Sequence, residues 1–221
     1  MAEVQILNAQ HPAVQYLCKN DKRLAKLIDM IGEIEYKIQP DYFARLVGSI
    51  INQMLSNKAA HTISGRVVEL CGGSITPENL LKLDREQLRG AGLSYTKADN
   101  ILGIAKAAKD GSLDFSNFPN MSDDEVMKEL TRLRGIGIWS AKMFLIFTLN
   151  RMDILPYEDV AFLQTYAWLY KTKDLQPASI IKRCRKWKPY SSIAARYFYY
   201  ALDMGLTKEK FHLYKSHQTD N

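Results

Sequence analysis

The sequence of 221 residues is 47% hydrophobic and 24% charged, which is the balance of a globular chain with a hydrophobic core. No apolar run approaches the roughly 20 residues that span a bilayer, and the first residues lack the basic and apolar regions of a signal peptide, so we expect neither a membrane protein nor a secreted one. Three scattered cysteines exclude a disulfide framework and any site built from four cysteines, and the net charge of +6 is compatible with a nucleic-acid partner.

Helical periodicity and helix-capping signals recur along the chain, and no segment shows the sustained alternation of a strand. The sequence therefore predicts an all-α protein of about ten short helices, with residues 1–35 also helical. Capping boxes are predicted at Asp84 with Gln87 and at Ser122 with Glu125. In chain order, helices are predicted at 40–54, from Ser56 to Leu70, from Thr76, from Asp84, from Ser94 to Asp110, and at 122–133, 138–150, 160–171, 177–187 and 191–204.

A pair of glycines interrupts the helical pattern in the segment 130–149, which reads LTRLRGIGIWSAKMFLIFTL. Helical spacing precedes Gly135 and resumes after Gly137, so Gly135-Ile136-Gly137 is predicted to join two helices, with glycine where the backbone needs a positive φ. Two interpretations are open at this point. The segment is a tight turn and no more, or the amides at the start of the second helix bind a phosphate.

A carboxylate begins the next predicted helix, in the segment 153–170, which reads DILPYEDVAFLQTYAWLY. Pro156 ends one element and an apolar helix starts at Val160, so Asp159 is predicted to be the N-cap. Aspartate is a common cap, and capping alone explains the residue. The alternative is a carboxylate that faces a cleft beside the hairpin. Both interpretations can hold, because the amides that donate to a capping carboxylate also orient it and keep it ionised.

Two further segments have both a structural and a functional interpretation. The loop INQMLSN, at 51–57, places Met54 and Leu55 between two helices, where they are either a corner of the core or, in a DNA-binding protein, a wedge pushed between bases. The segment IKRCRKWKPY, at 181–190, has five cations around Trp187. These cations form either a solvated helix face or a patch for nucleic acid.

A known family is recognisable in five segments, which read PDYFARLVGSIINQMLSNKAA, GAGLSYTKADNILGIAKA, LTRLRGIGIWSAKMFLIF, LPYEDVAFLQ and WKPYSSIAARYFYYALD. In this order they resemble the helix-hairpin-helix (HhH-GPD) DNA glycosylase superfamily, and most of all its branch of bacterial 3-methyladenine DNA glycosylase II. The resemblance covers roughly residues 38–205. It implies an all-α fold of two helical lobes with the active-site cleft between them and no N-terminal β-domain.

The resemblance also implies how the chain is organised. Residues 1–221 are expected to form a single HhH-GPD glycosylase unit. Within it, the central helical lobe corresponds to 38–130, the helix-hairpin-helix to 131–151, and the second lobe to 1–37 together with 152–221.

Site residues follow from the matched motifs. Asp159 corresponds to the catalytic aspartate of the family, and Trp139 lies where the base pocket is expected. Trp187 and Tyr190 are further pocket candidates, although core packing explains each of them equally well. The family loop usually has two glutamines where this chain has Gln53-Met54, so Met54 is our candidate wedge. The DNA-binding residues implied by the resemblance are Gln53, Met54, Ser56, Arg134, Gly135, Ile136 and Gly137.

The implied activity is that of a monofunctional base-excision repair glycosylase. It would hydrolyse the N-glycosidic bond of flipped alkylated purines, such as 3-methyladenine and 7-methylguanine, and leave an abasic site. Bifunctional relatives carry a lysine where this chain has Trp139, so no lyase activity is expected. Two alternatives stay open: a non-catalytic helix-hairpin-helix DNA-binding module, and a glycosylase for another lesion such as hypoxanthine or an oxidised purine. A helical protein-interaction domain unrelated to DNA would leave the ordered segments unexplained.

The resemblance implies few accessory components. No cofactor and no iron–sulfur cluster are expected, and a structural Na⁺ or K⁺ would lie at the hairpin on the main-chain carbonyls of Thr131, Leu133 and Ile136. The expected partner is double-stranded DNA with damaged bases, and no membrane is involved. The protein is expected to be a monomer in the cytoplasm, associated with the nucleoid if the source is bacterial.

Overall fold

The computed structural model describes residues 3–214, apart from the side chain of Asn57. Helices dominate these residues, so the all-α prediction is confirmed. Within the same range, every helix is too short or too polar to cross a lipid bilayer. In chain order the strands and helices are β1 (Glu3–Leu7), α1 (Pro12–Asn20), α2 (Lys22–Ile31), β2 (Ile34–Ile38), α3 (Tyr42–Asn52), α4 (Asn57–Leu70), α5 (Pro77–Leu80), α6 (Arg85–Gly90), α7 (Tyr95–Lys109), α8 (Asp123–Thr131), α9 (Ile138–Phe147), α10 (Val160–Tyr170), α11 (Pro177–Cys184) and α12 (Ser191–Asp203), with short 3-10 turns at Phe115–Asn120, Arg185–Trp187 and Leu206–Lys208.

Local capping residues determine where the helices begin. The predicted capping box before α6 is formed, since the amide of Asp84 donates to Gln87 Oε1 over 2.9 Å and the amide of Gln87 donates to Asp84 Oδ1 over 2.7 Å. Ser122 and Glu125 form the second predicted box and begin α8. Ser56 caps α4, as its position predicts. These starts are predictable because each cap involves residues within a single turn of helix.

The prediction that residues 1–35 are helical is wrong at both ends of that segment. Glu3–Leu7 and Ile34–Ile38 form an antiparallel two-stranded ribbon, in which Leu7 pairs with Ile34. Each strand has five residues, too few for a clear alternation signal. The two strands are separated along the sequence by α1 and α2, so neither has its partner nearby in the chain. Gly32, with a φ of +76°, ends α2 in a conformation that a helix cannot continue.

The described chain divides into two compact units. The first unit is Gln39–Leu149, and the second combines the described residues before Gln39 with those after Leu149. The second unit has an aromatic core, in which the ring centroids of Phe162 and Phe198 are 5.0 Å apart. The glycine hairpin belongs to the first unit and Asp159 belongs to the second.

Candidate functional site

The glycine hairpin joins α8 to α9, as the sequence predicts. Gly135 has a φ of +89°, and a Cβ built there would lie 2.2 Å from Nδ2 and 2.8 Å from Cγ of Asn100, so both conformation and space require glycine. Gly137 has a φ of −96° and a ψ of 177°, which is ordinary extended backbone. The expectation of a positive φ is therefore right for Gly135 and wrong for Gly137. The amide of Ile136, which is buried, closes the turn on the carbonyl of Leu133 over 3.1 Å.

Gly137 has a different role from Gly135, because it is the N-cap of α9. No side chain caps this helix, and a Cβ at Gly137 would meet nothing within 4 Å. The backbone amides of a first helical turn point out of the helix, and they carry the positive end of its dipole. The first turn of α9 thus has the geometry that the phosphate-binding interpretation needs. The exposed Arg134 adds a cation to the hairpin, two residues after Arg132, the C-cap of α8.

The loop between α3 and α4 lies against this hairpin. Gln53 Nε2 donates to the carbonyl of Gly135 over 3.0 Å. Met54 has a φ of +56° and a fully exposed side chain, with a relative exposure of 101%, so it is not a corner of the core. Ser56 caps α4 at the end of the loop. Of the predicted DNA-binding residues in this loop, Gln53 therefore contacts the hairpin directly, and Met54 and Ser56 follow it in the same loop and the same unit.

Lys97, on α7, is a residue of this region that the sequence analysis missed. Its ammonium donates to the carbonyls of Ile51 (2.9 Å) and Gln53 (2.6 Å), at the C-terminal end of α3. Burial lowers the pKa of Lys97. The only sequence signal is weak: a lysine in the first turn of a helix opposes the helix dipole, and therefore calls for another stabilising partner.

Asp159 is the N-cap of α10, as predicted. Its side chain is buried, with an exposure of 7%, and its Oδ1 accepts the amide of Phe162 over 2.7 Å. Tyr199, on α12, donates a hydrogen bond from its hydroxyl to the same carboxylate. Burial raises the pKa of Tyr199 well above its ordinary value, and the negative charge of Asp159 raises it further. The hydroxyl therefore stays protonated, and two donors hold the carboxylate in place.

The aromatic pocket candidates differ sharply in exposure. Trp139 is 44% exposed on the first turn of α9, so part of its ring can meet a ligand. Trp187 has no exposed surface, and its indole N–H donates to Asp21 Oδ2 over 3.0 Å. A base cannot stack on a ring that is fully covered, so the pocket role predicted for Trp187 is wrong and the core-packing alternative holds. Tyr190 is half-buried, with its ring edge-on to Tyr16 at 5.3 Å, and keeps both interpretations.

Most cations of the basic segment around Trp187 contact other residues of this protein. Lys186 pairs with the buried Asp21 at 3.0 Å, and Lys188 lies 3.6 Å from Asp153. The guanidinium of Arg183 lies over the ring of Tyr170 at 4.8 Å. Three of the five cations thus have partners within their own unit, which favours the interpretation as a helix face.

The residues at the end of α8 could hold a monovalent cation. Thr131 is the last residue of this helix, and the last carbonyls of a helix carry the negative end of its dipole. The carbonyl of Leu133 accepts one hydrogen bond, from Ile136, and keeps a second lone pair. The donor set therefore fits Na⁺ or K⁺. Among residues 3–214, no group of three or more His, Cys, Asp or Glu side chains is placed to hold a metal ion.

Two helices joined by a glycine turn define the helix-hairpin-helix class of proteins. The sequence model of one family in this class, described as HhH-GPD superfamily base excision DNA repair protein, matches residues 47–189. The chain therefore belongs to the HhH-GPD superfamily, and the resemblance recognised in the sequence is confirmed.

Similar proteins extend this assignment over most of the chain. The crystal structure of DNA-3-methyladenine glycosidase from Bacillus halodurans has a TM-score of 0.85 and 34% identity, covering 95% of this chain and 97% of that one. The 3-methyladenine DNA glycosylase of Schizosaccharomyces pombe, in complex with abasic DNA, has a TM-score of 0.77 and 26% identity, covering 93% and 100%. DNA-3-methyladenine glycosylase 1 of S. pombe is 29% identical over 187 residues, which are 83% of this chain and 82% of the relative.

Proposed function

We propose that this protein is a monofunctional DNA glycosylase that hydrolyses the N-glycosidic bond of alkylated purines such as 3-methyladenine and 7-methylguanine. The observation that carries the proposal is Asp159, a buried carboxylate oriented by two donors at the position that corresponds to the catalytic aspartate of the superfamily. The relatives named above as 3-methyladenine glycosylases support the alkylated-base substrate.

The reaction needs a negative charge that is fixed before the bond breaks. As the bond between the sugar C1′ and the base nitrogen lengthens, the electron pair leaves with the base and positive charge builds on the sugar. The carboxylate of Asp159 stabilises that charge, and the Phe162 amide and the Tyr199 hydroxyl hold it without reorganisation. Water then adds to C1′, and the carboxylate orients the water or accepts its proton.

Binding of DNA is assigned to the loop and hairpin of the first unit. The relative from S. pombe was solved with abasic DNA, which supports a DNA substrate here. The first turn of α9 would accept a backbone phosphate, with Arg134 as an added cation. The side chain of Met54 would fill the gap that a flipped base leaves in the stack. A Na⁺ or K⁺ on the carbonyls of Thr131, Leu133 and Ile136 would draw the phosphate closer.

The proposed substrate, an alkylated purine, needs little protonation by the enzyme before it leaves the sugar. A purine methylated at N3 or N7 is cationic within the nucleoside, so it is already a good leaving group. The half-exposed ring of Trp139 would hold it through a cation–π contact. An indole cannot form a Schiff base with the sugar, and this supports hydrolysis without strand cleavage.

Single-turnover release of free base tests the proposal. Duplex DNA with 7-methylguanine or 3-methyladenine would be incubated with the wild type and with Asp159→Asn. Glu158→Gln is the matched control, because it removes a neighbouring carboxylate that is exposed. Asparagine also caps helices well, so the Asp159→Asn variant should keep its fold and its DNA affinity. We expect release by the wild type and Glu158→Gln, and none by Asp159→Asn.

Other outcomes separate the alternatives. Near-normal release by Asp159→Asn would remove the catalytic role of this residue. DNA binding by the wild type without release would call for a lesion panel that includes hypoxanthine and oxidised purines. Binding without release from any member of that panel would identify a non-catalytic DNA-binding module.

A further inference from the structure

The tip of the loop between α3 and α4 is held in an unfavourable conformation. Met54 has a φ of +56° although it is not a glycine, and its side chain is fully exposed outside the protein core. A residue with a side chain persists in the left-handed region only where its surroundings over-determine the backbone. The contacts that fix this loop therefore bear on whatever Met54 does.

Lys97 supplies two of these contacts. Its ammonium donates to the carbonyl of Ile51, in the last turn of α3, and to the carbonyl of Gln53, directly before Met54. Both hydrogen bonds are charge-assisted, and a cation at a helix C-terminus also complements the helix dipole. The peptide that leads into Met54 is thus clamped from one side by α7.

The same loop is tied to the glycine hairpin from the other side. The side chain of Gln53 donates to the carbonyl of Gly135. Asn100, one turn after Lys97 on α7, packs so closely on Gly135 that a Cβ there would overlap its Nδ2. One face of α7 therefore contacts the loop through Lys97 and the hairpin through Asn100.

We propose that Lys97 is a positioning residue for base extrusion: by clamping the carbonyls of Ile51 and Gln53, it holds Met54 at a fixed place relative to the phosphate-binding hairpin. The inference rests on the proposed function, since it deepens the roles given there to Met54 and the hairpin. When the hairpin binds a phosphate, the loop is brought to the base stack as part of one rigid body. Without the clamp, DNA would still bind, and the Met54 side chain would sample many positions.

Lys97→Met tests this, because methionine keeps an unbranched side chain as far as Cε and removes the ammonium. Lys106→Met, at an exposed position on the same helix, is the matched loss of one charge. Lys97→Arg restores donors to the two carbonyls. Circular dichroism and the thermal midpoint would establish that each variant is folded.

The readout separates extrusion from chemistry. Single-turnover rates are measured on a duplex with 7-methylguanine paired to cytosine, and on the same duplex with the lesion opposite an abasic site, where extrusion is easier. We expect Lys97→Met to lower the first rate roughly tenfold, as loss of a charge-assisted hydrogen bond allows, and to leave the second within about twofold. Lys106→Met should match the wild type on both duplexes, and Lys97→Arg should recover most of the first rate.

A second readout does not depend on base release. In an Asp159→Asn background, 2-aminopurine next to the lesion reports unstacking by its fluorescence, and Lys97→Met should reduce this signal at saturating protein. If the wild type extrudes the base and releases none, the proposed activity on this lesion fails and the role of Lys97 is still measured. Full extrusion by folded Lys97→Met, an equal loss of rate on both duplexes, or no extrusion by the wild type would each overturn the inference.

Discussion

The hydroxyl of Tyr199 donates a hydrogen bond to the carboxylate of Asp159, and so connects α12 to the first residue before α10. The Phe162 amide donates to the same carboxylate from within α10. One donor comes from the helix that Asp159 caps, and the other comes from a different helix of the same unit. The first is explained by capping alone, whereas the second is a constraint that a cap does not need.

Replacement of Tyr199 by phenylalanine therefore tests whether orientation of Asp159 matters for catalysis. We expect Tyr199→Phe to lower the single-turnover rate by about 10- to 100-fold, the equivalent of one hydrogen bond to a charged group, with little change in DNA affinity. Tyr200→Phe, on the same helix, is the control. A rate within twofold of the wild type would assign Tyr199 to packing alone.

The same pair makes a prediction for stability. Because burial and Asp159 raise the pKa of Tyr199 above its ordinary value, the folded protein holds this proton more tightly than the unfolded chain does. The contribution to the free energy of unfolding is therefore complete below about pH 10 and is lost as the pH rises further. The difference in stability between the wild type and Tyr199→Phe, measured by urea unfolding from pH 8 to 11, should shrink above pH 10. A constant difference would contradict this.

Replacement of the loop residue Met54 by glycine should raise the stability of the protein and lower its activity. A left-handed residue with a side chain costs about 1–2 kcal/mol, and glycine avoids most of that cost while it gains entropy in the unfolded chain. We expect Met54→Gly to raise the free energy of unfolding by up to about 1 kcal/mol. Met54→Ala keeps the backbone strain and should leave stability unchanged, because the side chain is fully exposed.

Both variants should lose activity on duplex DNA, because neither can fill the gap left by a flipped base. Single-turnover release at saturating protein is the measurement, with urea unfolding for stability. An unchanged rate in Met54→Ala would mean that the exposed side chain has no part in extrusion. A fall in stability in Met54→Gly would mean that the loop does not store the strain its φ implies.

The sequence predicts those parts of this protein that depend on neighbouring residues. Asp159 as an N-cap, the box at Ser122 with Glu125 and the turn at Gly135 are each determined within a few residues, and each is found in the structure. The ribbon that pairs Leu7 with Ile34 depends on contacts across two helices, and its short strands carry little signal of their own.

Distant contacts also explain the errors and omissions at the site. The residue type of Trp187 and its basic neighbours are compatible with a pocket or with a core. Its complete burial and its hydrogen bond to Asp21, far along the chain, identify it as a core residue. Tyr199 belongs to an aromatic run that reads as core packing, and Lys97 has no local pattern that connects it with Ile51. Side chains that act through tertiary contacts leave no periodicity in the sequence.

Gly135 predicts a specific loss of stability at the hairpin. An added Cβ would occupy the space of the Asn100 side chain and would also strain the backbone at φ +89°. We expect Gly135→Ala to lower the free energy of unfolding by about 2 kcal/mol or more. Gly137→Ala is the matched control, and as a poorer N-cap it should cost at most about 1 kcal/mol. Equal losses in urea unfolding would show that the hairpin adapts at Gly135.

Trp139 predicts that the enzyme does not pass through a covalent intermediate. A Schiff base with the opened sugar requires a primary amine, and the side chain that α9 presents at its second residue is an indole, 44% exposed. Borohydride added during base release should therefore trap no enzyme–DNA adduct on a denaturing gel, under conditions in which a bifunctional glycosylase is trapped. A trapped adduct would contradict the monofunctional mechanism. If it disappeared in Lys142→Ala, the next lysine along α9 would be identified as the attacking amine.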